Sequence, residues 1–134
     1  MNIEEGIKSL QSLAVMLEQQ LPDPERFDWD NAPIICQLNG FEYRLGPESP
    51  NELNWDDAIN WCKSVGGELP SREVLLVCYV NENISINFKE EYYWSSTEFF
   101  TAYAWGQYFS NGSQKYDGKN NTFCVRAVRR FAIS

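Results

Sequence analysis

Apolar residues at the start of the chain fall at Ile3, Ile7, Leu10, Ala14, Leu17 and Leu21, in alternating steps of four and three. That is a heptad seam, and it predicts an amphipathic helix over residues 1–22. Leu13, Val15 and Met16 add apolar surface beside the seam, and Pro22-Asp23-Pro24 ends it, because proline lacks the amide hydrogen and clashes with the preceding turn. So short a helix is marginal alone. It must pack on its own domain or join a second copy, which makes the seam the route to a possible homo-oligomer. Residues 23–33 read as a polar connector with two aromatic anchors, Phe27 and Trp29.

From residue 34 the pattern is that of a separate domain running to 134. Residues 34–45 alternate as two short strands around Asn39-Gly40, a dipeptide that tolerates the positive φ of a tight hairpin. Gly46 to Asn51, carrying Pro47 and Pro50, reads as a loop. Trp55, Ala58, Ile59 and Cys62 recur at helical spacing and predict a helix over 54–65, with Asn54 as N-cap, Asp56-Asp57 in the first turn and Gly66-Gly67 at the end. A third helix starts after Ser71, with Val74, Leu75, Val77, Cys78 and Val80 as its apolar face. Beyond Tyr92 aromatic and β-branched residues dominate. Turn signals at Asn111-Gly112-Ser113 and Asp117 to Asn121 divide the tail into strands near 92–96, 103–109, 113–116 and 122–131. The fold class is α+β, with two helices against antiparallel strands.

Composition narrows the chemistry. The chain has 134 residues, 43% of them hydrophobic and 15% aromatic, enough for a packed core. It has no histidine, which removes Ser-His and Cys-His catalytic pairs and every histidine metal site. The four cysteines form no CxxC pair, so no zinc motif exists. The expectation is no enzyme, no cofactor and no metal; the adjacent carboxylates Asp56-Asp57 and Glu90-Glu91 read as a helix first turn and as solvated charge. No apolar run approaches the ~18 residues of a membrane span, and the acidic start lacks the form of a secretory signal. Net charge is −8. Residues 1–60 carry 12 acids and 3 bases (−9), residues 61–134 carry 7 acids and 8 bases (+1). Direct nucleic-acid binding is not expected of such a chain, since phosphate contacts need clustered Lys and Arg.

Three ordered blocks carry a resemblance. Trp55-x-x-Ala58-x-x-x-Cys62 with Gly66-Gly67-x-Leu69-Pro70-Ser71-Arg72 resembles the helix and turn that open C-type-lectin-like domains. Tyr93-Trp94-Ser95-Ser96-Thr97, then Ala104-Trp105-x-x-x-Phe109-x-x-Gly112, then Val125 to Phe131, resemble the Lcl C-terminal-like domain family, found in bacterial surface proteins and in phage and prophage genomes. The resemblance spans about residues 53–131. It implies a C-type-lectin-like fold for residues 34–134, a phage or prophage setting, and hence the host cytoplasm or the virion as location. It also implies that Cys62 in the first domain helix and Cys124 near the last strand lie together as a structural pair. The Glu-Pro-Asn and Trp-Asn-Asp triplets of calcium-dependent sugar-binding lectins are missing, and a turn rich in Asp, Gly and Asn at 117–121 needs no metal to explain it.

Two functional readings emerge. In the first, the chain is a non-catalytic binding module that grips a host protein or a surface glycan through its C-terminal strands and loops. Tyr103, Trp105, Tyr108, Asn111, Ser113 and Tyr116 are the candidate contacts, a mixture of rigid aromatic area and adaptable polar groups like that of paratopes. Strand alternation puts Tyr103 and Trp105 on one face and Tyr108 on the other. Trp94, Trp105 and Phe109 are also candidates for the aromatic core. In the second, the chain is a small acidic inhibitor, of the anti-CRISPR kind, of a host nucleic-acid-binding defence complex, with Asp23, Glu25, Asp28 and Asp30 imitating nucleic acid.

Overall fold

The computed structural model describes residues 27–133. The predicted N-terminal helix and its seam, with Asp23 and Glu25, lie outside the described residues. Residues 27–133 form a mixed α+β fold of two three-stranded antiparallel sheets and two main helices. The first sheet holds β1 (Ile34–Leu38), β2 (Phe41–Glu48) and β6 (Arg126–Ala132) in the order β1-β2-β6. The second holds β3 (Tyr92–Phe99), β4 (Tyr103–Tyr108) and β5 (Gln114–Gly118) in sequence order. Between them come α1 (Trp55–Ser64), α2 (Arg72–Val80) and a one-turn α3 (Glu82–Ser85) absent from the expected elements.

Local chemistry explains most boundaries. Asn39 (φ 53°) and Gly40 (φ 83°) make the β1–β2 turn in the left-handed region, as their types allow. Asn54 accepts the Asp57 amide and Ser71 accepts the Val74 amide, each satisfying an orphan donor at a helix start. One boundary differs from expectation: β2 continues through Gly46 and Pro47 to Glu48. The register against β6 shifts between Leu45 and Glu48, and an irregularity is where a strand can accept proline. The expected long last strand is also divided. Phe123 bridges to Leu53, Cys124 runs parallel beside Tyr93, and the chain then enters the first sheet as β6. The final segment thus ties the two sheets together.

Three buried tryptophans each donate an indole N–H to a distant backbone carbonyl: Trp29 to Val65 (2.8 Å), Trp55 to Ser95 (2.9 Å) and Trp94 to Leu53 (2.8 Å). Apolar area and a satisfied polar tip together make such residues efficient joints between segments. Trp29 anchors the segment ahead of β1. It sits in a 3₁₀ turn (Trp29–Asn31), is 5% exposed, and packs edge-on against Phe27. Its ring lies on Gly46 and Gly67: a Cβ at Gly67 would meet the ring at 2.8 Å and the Val128 carbonyl at 2.6 Å. Of the expected connector, Phe27, Trp29 and Ala32 pack into the second core cluster, while Asp28, Asp30, Asn31 and Pro33 stay exposed.

The core is two adjoining clusters. One gathers Ile35, Leu45, Val74, Leu75, Cys78, Phe88, Tyr93, Phe109, Cys124 and Val128. The other gathers Trp29, Trp55, Ala58, Cys62, Leu69, Trp94, Val125 and Ala127. Trp94 and Phe109 are core, as expected. Trp105 is not: it is only half-buried.

Cys62 and Cys124 form no disulfide. All four thiols are free, and Cys62 and Cys124 belong to different clusters. The residue that shares the Cys62 cluster is Val125, one position further on; the two neighbours contribute to different clusters, as alternation in extended chain allows. Burial pushes the thiols of Cys62 and Cys78 up to about 12 and that of Cys124 up to about 11.

Candidate functional site

The second sheet has two unlike faces. On one, Tyr92 stacks on Tyr108 (4.4 Å) and on Phe123 (5.3 Å), Trp94 lies against Phe123 (4.3 Å), and Lys115 Nζ sits 4.4 Å from the Tyr92 ring. The returning 119–124 segment covers this face. Lys119 fastens it, donating to the Thr101 carbonyl (2.7 Å), pairing with Glu98 (3.4 Å) and lying 4.2 Å over Trp55.

The other face is covered only in part. At the Tyr93–Gln107–Gln114 end, α2 packs on β3 and β4. Past the start of α2 the sheet carries an aromatic platform. Phe99 stacks on Tyr116 (4.1 Å, 23°), and Trp105 meets Phe99 (5.7 Å) and Tyr116 (5.4 Å) edge-on. Tyr103 meets Tyr116 at 5.8 Å and 78°. The register makes this so: Trp105 pairs with Tyr116 across β4–β5, and Phe99 pairs with Tyr103 across β3–β4. Tyr116 is 48% exposed and Tyr103 43%.

Two features mark the platform's edges. Phe100, next to Phe99 at the hairpin, is 78% exposed and has φ 58°. A bulky side chain in that region is unusual and costs roughly 1–2 kcal/mol, so the tight turn holds an apolar ring in solvent against both solvation and backbone preference. Arg72, the first residue of α2, lays its guanidinium 3.7 Å from the centre of the Trp105 ring. Its Nε donates to Gln114 Oε1 (3.0 Å), Gln114 donates back to the Arg72 carbonyl (2.9 Å) and to Gln107 (2.8 Å), and the Arg72 amide donates to Thr97 Oγ1 (3.0 Å). The cation is fixed in place by these bonds.

In the Ser95-Ser96-Thr97 run the Ser95 and Thr97 hydroxyls serve structure, as expected, while Ser96 is exposed. β3 spends four steps between Trp94 and Glu98 where β4 spends two, from Gly106 to Ala104. At that irregularity Ser95 donates to the Trp105 carbonyl (2.6 Å) and accepts the Thr97 amide (3.1 Å).

The candidate residues separate accordingly. Tyr103, Trp105 and Tyr116 come together. Tyr108 lies on the opposite face in the Tyr92 stack. Asn111 and Ser113 sit in the β4–β5 turn at the far end of the strands. There Asn111 accepts the Ser113 amide (3.0 Å), and Gly112 (φ 81°) lies against Tyr79. Asp28 and Asp30 are exposed beside the Trp29 turn; Asp28 accepts from Asn31, and the Asp30 carbonyl accepts from Arg44. Phe99, Phe100 and Arg72 were not among the candidates. Phe99-Phe100 ahead of a predicted strand was a usable signal, whereas nothing local places Arg72 over Trp105. Asp117, from the turn weighed for calcium, accepts from the Gly118 amide and from Asn121. Among the described residues no group of three or more Cys, Asp or Glu side chains is placed to hold a metal, and no helix is long and apolar enough to cross a membrane.

No protein-family model matches the chain, and a search of curated proteins returns no match.

Proposed function

We propose that this chain is a non-catalytic binding module of C-type-lectin-like fold and phage or prophage type, and that it takes hold of a host protein through the aromatic platform of its second sheet. One observation carries the reading. Phe99, Phe100, Tyr103, Trp105 and Tyr116 form a contiguous, partly exposed aromatic surface on rigid strands, with an arginine stacked at its edge. Aromatic residues and arginine are what interface centres are enriched in. The exposed Phe100 favours a protein over a glycan, since a phenyl ring offers a sugar no hydrogen bond. The finer fold statement draws support from the three sequence blocks and from the element order, in which an early and a late strand share one sheet while two helices precede the second.

Capture from host lysate by the immobilised protein tests the reading. Phe100→Ser and Tyr116→Ser should each remove the captured partner, with the better anchor weakening binding by about 2 kcal/mol, as buried aromatic hot spots do. Capture should survive moderate salt. If Asp28→Lys with Asp30→Lys abolishes capture while the platform changes are neutral, and if affinity falls steeply with salt, the acidic-inhibitor reading replaces this one.

A further inference from the structure

The platform ends at an open sheet edge. β5 is the outer strand of its sheet, and among the described residues no strand pairs with its far side. An unpaired edge is a template for an added strand. Along β5, Gln114, Tyr116 and Gly118 share the face of Arg72, Trp105 and Tyr103, while Lys115 and Asp117 point to the other face and pair with each other at 3.5 Å.

Arg72 has no acidic partner among the described residues. Among the described residues only the Nε of its guanidinium is hydrogen-bonded, and neither terminal nitrogen is buried without a partner, so both are open to water. The other cations near this sheet, Lys115 and Lys119, are each already paired with an acid. A guanidinium held flat by Trp105 and Gln114 presents its free edge in a fixed direction, the condition under which arginine pairs with a carboxylate in a specific geometry.

We infer that the partner's contacting element is an extended acidic peptide segment that adds a strand to the open edge of β5, placing a carboxylate side chain on Arg72 and an apolar side chain two residues away on Tyr116. The two-residue spacing comes from strand alternation: on the added strand, side chains opposite Gln114 and Tyr116 share one face. The inference rests on the platform reading and names the chemistry of its ligand.

A random-peptide display library panned on the full-length protein is the test. Selected peptides should carry Asp or Glu two residues from a large apolar side chain. A synthetic copy of the best peptide should bind Arg72→Gln at least about tenfold more weakly, the scale of a charge-assisted hydrogen bond lost. The same peptide with its acid changed to the amide should lose a similar factor on the wild-type protein and nothing further on Arg72→Gln, a comparison that does not depend on how the variant folds. Methylating peptide backbone nitrogens on the β5-facing side should abolish binding. Selected peptides without the acid, an Arg72→Gln effect under about twofold, or no selection at all would overturn the inference. If Tyr116→Ser abolishes peptide binding while Arg72→Gln does not, the platform reading stands and the acidic-strand inference falls. If neither changes it, both fall.

Discussion

Replacing Trp29 by alanine asks whether residues 27–33 are linker or core. The ring is 5% exposed, donates to the Val65 carbonyl at 2.8 Å, and fills the space above Gly46 and Gly67. Removing a buried tryptophan costs about 3–5 kcal/mol through lost transfer energy and residual cavity. The stranded Val65 carbonyl belongs to a half-buried residue that water can reach, so its share stays near the low end of the ~0.5–1.5 kcal/mol of an ordinary hydrogen bond. Cooperative unfolding of a domain this size would then shift down by on the order of 10–20 °C. A linker residue would shift it by almost nothing. The glycines supply a second measurement. A Cβ at Gly46 would meet Trp29 Cζ3 and the Ala127 carbonyl, each at 2.8 Å, so Gly46→Ala in the wild-type background should cost about 1–3 kcal/mol as overpacking. In the Trp29→Ala background the ring clash is gone and only the carbonyl contact remains, so the cost should shrink. Thermal and urea unfolding followed by circular dichroism measure all four corners of the cycle. A Trp29→Ala change of only a degree or two, or additive effects for the pair, would refute this packing.

The same packing sets other expectations. Tyr93→Phe removes the hydroxyl that donates to Glu48 and accepts the Lys89 amide (2.8 Å); chemical unfolding should show a loss of about 1–3 kcal/mol, the cost of stranded buried polar groups. Burial, then the Glu48 carboxylate, raises the Tyr93 phenol, so it remains the donor throughout the neutral range. Under native conditions near pH 8 a thiol reagent should modify Cys36, the least buried cysteine, well before the other three, and rapid labelling of Cys62 or Cys78 would contradict their burial. Because burial raises those two thiols from 9.0 to about 12, the folded state holds their protons more tightly than the unfolded chain. Their stability contribution is complete below pH 9 and is lost as pH rises toward 12, which urea melts across that window would reveal against variants carrying alanine at both sites.

How much of the molecule is legible in its sequence depends on the range of each signal. The α+β class, the Asn39-Gly40 turn, and the caps at Asn54 and Ser71 are written within a few residues, because helix and strand periods, positive φ and cap hydrogen bonds are local properties. So is the division of Tyr103 and Trp105 from Tyr108, since strand alternation needs no partner. Tertiary structure decided the rest. That Trp29 is core depended on Gly46 and Gly67, distant in sequence, leaving room for its ring. That Cys62 and Cys124 join different core clusters depended on a single step of alternation, which gives Val125 rather than Cys124 to the Cys62 cluster. The candidate site was half visible: Tyr103, Trp105 and Tyr116 could be named from composition, but Phe99 joined them only through the β3–β4 register across an irregularity. Arg72 joined only because the first residue of α2 is set against the sheet by Thr97 and Gln114. Register shifts and helix placement are set by long-range packing, in which many weak contacts act at once, and no short stretch of sequence contains that sum.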